Sequence, residues 1–363
     1  MTRFSRLAAL VLVLATQMAM AAEWARIGGP LALVFPRDHG SHPSFCTEWW
    51  YATGQVADSG GRRLGFQLTF FRKGLDPSPS APESSALRAR QVLAAHLAVA
   101  EIGRGTMRFA ERVRRVAAGM AAASENDLDV FLDDWQMRRL PSGAISLDAG
   151  DRDGGLTLTL ELQPAKSLVL HAEGGVSRKG PEPGNASVYV SYTRLAARGR
   201  LSLDGRERAV QGEAWFDHEW GSSQLGGGMV GWDWLGLCLG DGRELMLYRL
   251  RDATGGAAPE SAGTLVARDG TTRHLAAAEF AVEPLSLWTS PRTGARYPAR
   301  VRVRVPGVGL DLEVRPEIAD AELDARASTG TVYWEGPVAV TGTTPGEGYA
   351  EFTGYAGRVV GLF

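Results

Sequence analysis

The sequence predicts an all-β protein built as two tandem barrels with a short helical or irregular insertion in the first. Three observations carry this. The chain has 363 residues, more than one core usually organises. Many short segments alternate apolar and polar residues, with turn signals between them. Its 45 glycines supply the tight turns that such strands need.

The N-terminus comes first. Arg3 and Arg6 precede an apolar run from Leu7 to Leu14, and Ala19-Met20-Ala21 stands before Ala22. That is the pattern of a secretory signal cleaved after Ala21, and the run is too short to span a bilayer comfortably. The expected divisions are a signal at 1–21, a first barrel over 23–225 and a second over 226–363. The mature chain would have no transmembrane segment and would be periplasmic or secreted. The formal net charge of −2 implies no basic face for nucleic acid. Cys46 and Cys238 are the two cysteines; export would permit one disulfide, and two separate buried thiols are the alternative.

After a mixed lead-in over Glu23–Pro36, Glu48–Val56 reads as a strand and Arg63–Arg72 as its hairpin partner across the Asp58–Gly61 turn. Residues 74–86, rich in Pro and Ser, read as a loop. Gln91–Ile102 is apolar and undecided between strand and helix. Arg104–Met137, with its Ala-rich patch at Ala117–Ala123, is the candidate for helix and irregular structure. Strands then return. In LTLTLEL (156–162) the leucines share one face. Ser187–Leu195 and Arg200–Leu203 alternate similarly. Met229–Leu239 and Glu244–Leu250 form a hairpin about Gly240-Asp241-Gly242, and ARVRVRV (299–305) has one buried and one wet face. Leu310–Val314, Val332–Trp334 and Tyr349–Tyr355 complete the strands.

The densest chemistry lies in Gly212–Leu239. It holds Trp215, Trp220, Trp232 and Trp234, the run Asp217-His218-Glu219 and the triplet Gly226–Gly228. This window reads as the junction of two β-domains, with the triplet as a hinge and the acids and indoles lining a cavity wall. On a strand, Asp217 and Glu219 face one way and His218 the other. A carboxyl poorly solvated among indoles has its pKa raised and can serve as a general acid; a buried salt bridge is the rival reading. A second cluster, Asp38, His39 and His42 ahead of Glu48, Trp49, Trp50 and Tyr51, lacks HExxH or paired CxxC spacing, so no metal is expected there. A loop of hydrogen-bonded histidines at a barrel mouth explains it better. Asp58-Ser59-Gly60-Gly61 reads as a turn, since its order relative to His96 reverses that of the chymotrypsin triad and no GxSxG occurs. The glycine triplet lacks a nucleotide-binding context.

FPRDHGSHPSFCTEWWYATG (35–54), FLDDW (131–135), GEAWFDHEWG (212–221), GWDWLGLCLGDGRELMLYRLRD (231–252), YWEGPVAVTG (333–342) and GYAEFTGY (348–355) together resemble one family. It is the AttH-like group of secreted lipocalin-like proteins, related to carotenoid 1,2-hydratase and also labelled predicted secreted hydrolases. The resemblance implies tandem lipocalin-like β-barrels with a cleft between or within them, a hydrophobic isoprenoid or lipid ligand, and chemistry without a cofactor, as in fungal cyclising enzymes with related barrels. It makes Asp217 the counterpart of the hydratases' proton donor, and matches their WDW to Trp232-Asp233-Trp234. The TEWWY start and the signal resemble the AttH side of the group, which is associated with ABC-type permeases.

Three functions follow as expectations. In the first, Asp217 protonates a C=C, Trp220, Trp232 and Trp234 shield the cation, and water ordered by His218 or Glu219 captures it. In this reading Trp215, Asp233, His39, His42, Glu48, Trp49, Trp50 and Tyr51 help bind the ligand. The second is a carrier without chemistry, working with a permease. The third, a secreted hydrolase, would need Asp217 and Glu219 to face a polar cleft.

Overall fold

The structure is a computed structural model that describes residues 23–77, 89–151, 153–222, 225–226 and 228–359. The expected signal at 1–21 and most of the loop at 74–86 lie outside the described residues. No helix among them is long and apolar enough to cross a membrane.

The first sheet is antiparallel. Its strands are β1 (Thr47–Asp58), β2 (Arg63–Gly74), β3 (Gln91–Glu101), β4 (Thr106–Arg115), β5 (Ala121–Ala123), β6 (Asp129–Leu132), β7 (Trp135–Arg139), β8 (Ile145–Asp151), β9 (Leu156–Pro164), β10 (Val169–Leu170), β11 (Val176–Arg178), β12 (Ala186–Leu203) and β13 (Arg206–Gly221). Their order is β4-β3-β2-β1-β13-β12-β9-β8-β7-β6-β5, with β10 and β11 also on β12. The sheet curls until its edges meet. Arg112 and Arg114 of β4 reach Asp133 and Asp134 in the β6–β7 turn, and Arg112 lies 4.6 Å over the Trp135 ring. Inside are Trp50, Ala52, Phe66, Leu68, Phe70, Leu97, the leucines of β9 and Phe216.

The second sheet holds β14 (Met229–Leu239), β15 (Glu244–Asp252), β16 (Ala262–Val266), β17 (Thr272–Ala276), β18 (Ala281–Thr289), β19 (Arg296–Val305), β20 (Leu310–Pro316), β21 (Glu322–Ala325), β22 (Thr331–Gly342) and β23 (Gly346–Phe352). The order is β17-β16-β15-β14-β23-β22-β20-β19-β18, with β21 on β22. Arg249 of β15 donates to the Val282 carbonyl of β18, drawing this sheet round as well. Val301, Val303 and Val305 enter its core while Arg300, Arg302 and Arg304 pair with Glu313, Asp311 and Glu283 outside.

Two expectations change. Arg104–Met137 is strand over most of its length, not a helical insertion. β4 pairs with β3 along its whole length, and the alanine patch is a tight turn bridging Ala117 to Ala121, with Gly119 at φ +75°. Sheet pairing overrides the helix preference of alanine here. Ser187–Leu195 and Arg200–Leu203 are one strand, β12, whose register shifts between Tyr192 and Leu195. That bulge turns Arg194 towards the second sheet, where its Nε donates to Glu244 at 2.6 Å.

The barrels meet on the outer faces of β1, β2, β12 and β13 and of β14, β15, β22 and β23. The Gln55 amide Nε2 donates to the Val338 and Gly348 carbonyls at 3.1 and 3.0 Å. Gly65 is needed for the close approach, because a Cβ there would sit 2.8 Å from Pro337 Cγ. Cys46 and Cys238 are separate free thiols. Burial pushes the Cys238 thiol up to about 12.

Candidate functional site

Strand alternation decides which side chains reach this interface. In β1 and β13, even-numbered Trp50, Ala52, Ala214 and Phe216 fill the first barrel, so Trp49, Tyr51, Trp215, Asp217 and Glu219 face the second. In β14 the phase is opposite. Leu235, Leu237 and Leu239 fill the second barrel, while Trp232 and Trp234 face the first. The two outer faces enclose an aromatic cluster and, beside it, a cavity of about 1220 Å³ counted out to its mouth. Trp49, Tyr51, Tyr189, Asp217, Glu219, Trp232 and Trp234 are on its wall.

Asp217 is buried, yet its carboxylate accepts three hydrogen bonds. Tyr189 Oη donates at 2.7 Å, Trp215 Nε1 at 2.5 Å, and Ser191 Oγ donates to the same oxygen as Trp215. Burial pushes its pKa up to about 7, against the pull of these donors. Tyr189 Oη in turn accepts from Trp234 Nε1 at 2.9 Å. Glu219 differs, because it accepts from Ser187 Oγ at 2.5 Å and pairs with Lys179 Nζ at 3.0 Å. For the Lys179 ammonium, burial pulls the pKa down, but Glu219 and Tyr248 outweigh it and the net shift is upward.

From the facing barrel come Glu335 of β22 and Glu351 of β23, register partners that both line the cavity. Burial raises both, with each crowded by other carboxyls. Glu351 reaches about 8, and Glu335 is held well above the usual range by burial and by Glu351. Tyr333, also on the wall, has its hydroxyl 2.7 Å from His96 Nδ1.

His218, expected at the site, points into the first barrel. Its Nε2 lies 3.0 Å from Glu48 Oε1, and it shares that carboxylate with His42 Nδ1 at 2.8 Å, Arg72 Nε at 2.7 Å and the Ser41 hydroxyl at 3.1 Å. Trp220, on the same face, stacks on His42 with ring centroids 3.8 Å apart. Trp50 Nε1 donates to the His39 carbonyl, and the His39 ring lies by Tyr192. This cluster closes the barrel end where β1 starts and β2 and β13 finish. His42, Glu48 and His218 could converge on a metal ion by distance alone. Glu48 is, however, already saturated by donors, and Arg72 would repel a cation there. The arginine holds the Glu48 carboxyl well below its usual range despite burial. Asp233 likewise points into the second barrel, between Arg249 and Arg251. Thus His39, His42, Glu48, Trp50, His218, Trp220 and Asp233 do not line the cavity, and Trp215 acts behind Asp217. In β13 and β14 these side chains alternate with ones that do line it.

Asp58 accepts from the Gly60 and Arg62 amides, so DSGG is the β1–β2 turn expected of it.

A family model described as AttH-like matches residues 27–355. The chain belongs to the AttH-like family. A crystal structure described as AttH from Nitrosomonas europaea is 35% identical and superposes with a TM-score of 0.82, covering 91% of this chain and 99% of that one. Kievitone hydratase from Nectria haematococca superposes with a TM-score of 0.69 at 12% identity, covering 93% of this chain and 97% of that one. At that identity the likeness is one of fold. No protein of curated function matches by sequence.

Tyr189, Ser187, Ser191, Lys179, Glu335 and Glu351 were missed from the sequence. A signal existed for some. Ser187-Val188-Tyr189-Val190-Ser191 alternates hydroxyl and valine, and Glu335 is the single acid of the otherwise largely apolar β22.

Proposed function

We propose that this AttH-like chain is a cofactor-free hydratase acting on an isolated C=C of an apolar, isoprenoid-like substrate. The observation that carries this reading is the Asp217 carboxyl, held near pKa 7 by burial at the wall of an aromatic-lined cavity. An acid so poised is half protonated near neutrality and is matched to proton transfer. Asp217 gives its proton to one alkene carbon, forming a C–H bond and leaving a tertiary cation on the other. The faces of Trp232 and Trp234 shield that cation from indiscriminate capture. A water oxygen then bonds to the cationic carbon, and its released proton returns to the Asp217 carboxylate, regenerating the acid. Because His218 lies off the cavity, the proposal gives it no part in this step. The expected result is loss of hydration in Asp217→Asn with the ligand still bound. Unchanged turnover in that variant would overturn the assignment.

The aromatic wall also favours a second reading, a carrier for an isoprenoid or lipid. Under it, Trp234→Ala weakens binding and no substrate is turned over. In both readings the protein works outside the cytoplasm after removal of Met1–Ala21, with an ABC-type permease as the partner of a carrier. N-terminal sequencing of the exported protein tests the cleavage, and co-purification tests the permease.

A further inference from the structure

We propose that the cavity between the barrels is a receptor for organic cations, taking an ammonium-bearing amphiphile with its charged head against Glu335 and Glu351. The wall itself shows how it holds such a group. The Lys179 ammonium lies 4.1 Å from the Tyr248 ring centroid and 5.3 Å from that of Tyr189, with Glu219 at 3.0 Å as its counter-ion. Aromatic faces beside a carboxylate are the chemistry that recognises a substituted ammonium. Elsewhere on the same wall stands a carboxyl pair with no Lys or Arg ion-paired to it among the described residues. Glu335 and Glu351 meet as register partners, with the Trp232 indole beside Glu351.

Neither acid forms an ion pair with a Lys or Arg among the described residues. Glu335 is 2% exposed, and its Oε1 has no well-formed hydrogen bond among the described residues; the Tyr51 hydroxyl faces it on the same wall without closing to one. A buried carboxylate oxygen in that condition is costly unless a donor or cation reaches it. Arg326 and Arg358 are exposed at the mouth, in water, and Arg326 is bound to Asp324. The groups that face the acid pair are Tyr51 of β1, Gln67 of β2, Asp217 and Glu219 of β13, Trp232 of β14 and Tyr333 of β22. Among them are two further acids, Asp217 and Glu219, and Glu219 is already paired with Lys179, the lysine on the cavity wall.

Binding a cation beside these carboxyls favours their ionised forms, so uptake releases protons. Apparent affinity should therefore rise with pH through the range where Asp217 and Glu351 titrate, about 7 to 8. A quaternary ammonium, which does not titrate, isolates the effect. This inference does not depend on the hydration reading, although a cation-selective site would also favour a cationic intermediate. Hydration fails or stands on turnover, whereas cation recognition fails or stands on the charge preference of ligands that do not react.

The experiment uses the purified chain and three probes with one tail: octyltrimethylammonium, octanol and octanoate. Binding is followed by tryptophan fluorescence, and by calorimetry in two buffers of different ionisation enthalpy to count protons. The ammonium is expected to bind about tenfold or more tighter than the alcohol at pH 8, with octanoate weakest and protons released. Glu335→Gln and Glu351→Gln should each reduce that preference while leaving octanol affinity unchanged, which also shows that the variants are folded. Equal affinity for ammonium and alcohol, tighter octanoate, no ammonium binding, or a preference that both variants retain would overturn the proposal.

Discussion

Replacing Asp217 by Asn tests the electrostatic argument without any knowledge of the substrate. The folded carboxyl titrates near 7 because it is buried, whereas in the unfolded chain it titrates near 3.9. Between those values the folded state holds a proton that the unfolded state has lost. The contribution to stability is therefore complete below about pH 4, falls as pH rises, and levels off above about 7. From pH 5 to pH 7 the loss is about 1.4 kcal/mol per pH unit, so roughly 2–3 kcal/mol disappears by pH 8. Asn cannot ionise, and this part of the slope should vanish. The substitution itself is mild. Trp215 Nε1 can only donate, so the amide oxygen takes the place of Oδ1 and keeps both Trp215 and Ser191. The amide nitrogen then faces the Tyr189 hydroxyl, which can rotate to accept. Urea denaturation of both proteins at pH 5 and pH 8 measures the difference. The expected result is that Asp217→Asn is about as stable as wild type at pH 5 and about 2–3 kcal/mol less pH-sensitive by pH 8. Parallel stability profiles would mean an ordinary carboxyl, and would remove the basis for Asp217 as an acid near neutrality.

Three further outcomes follow from the geometry. Tyr189→Phe removes a donor to Asp217 and the partner of Trp234 Nε1; hydration should slow about tenfold, and the alkaline limb of its pH–rate profile should move up, because the donor had stabilised the carboxylate. Glu48→Gln breaks the buried pair with Arg72, whose Nε is 2.7 Å away, and should lower stability by about 3–5 kcal/mol in urea melts. Its effect on ligand affinity, measured under folding conditions, should be negligible, since Glu48 faces away from the cavity. Gly65→Ala places a Cβ 2.7 Å from the Tyr349 hydroxyl and 2.8 Å from Pro337 Cγ. It should destabilise the contact between barrels by about 1–3 kcal/mol, seen as a lower Tm, whereas Gly61→Ala in the open β1–β2 turn would act only through its φ of +79°.

Much was legible in the sequence because strand alternation is local. The period of two separated Asp217 and Glu219 from His218 before any fold was known, and it makes Trp232 and Trp234 share a face that excludes Asp233. Hairpins such as β1–β2 and β14–β15 were likewise readable from their turn residues. What period two does not say is which face is interior and which is interface. The two candidate clusters therefore looked alike: His42, Glu48, His218 and Trp220 proved to close a barrel end, while Asp217, Trp232 and Trp234 lie on the shared wall. The meeting of Glu335 and Glu351 with Asp217 depends on β22 and β23 crossing β1 and β13 from the other barrel, over a hundred residues away in sequence. Such proximity, and the burial that raises these carboxyls, arises from packing between sheets, which no local pattern encodes.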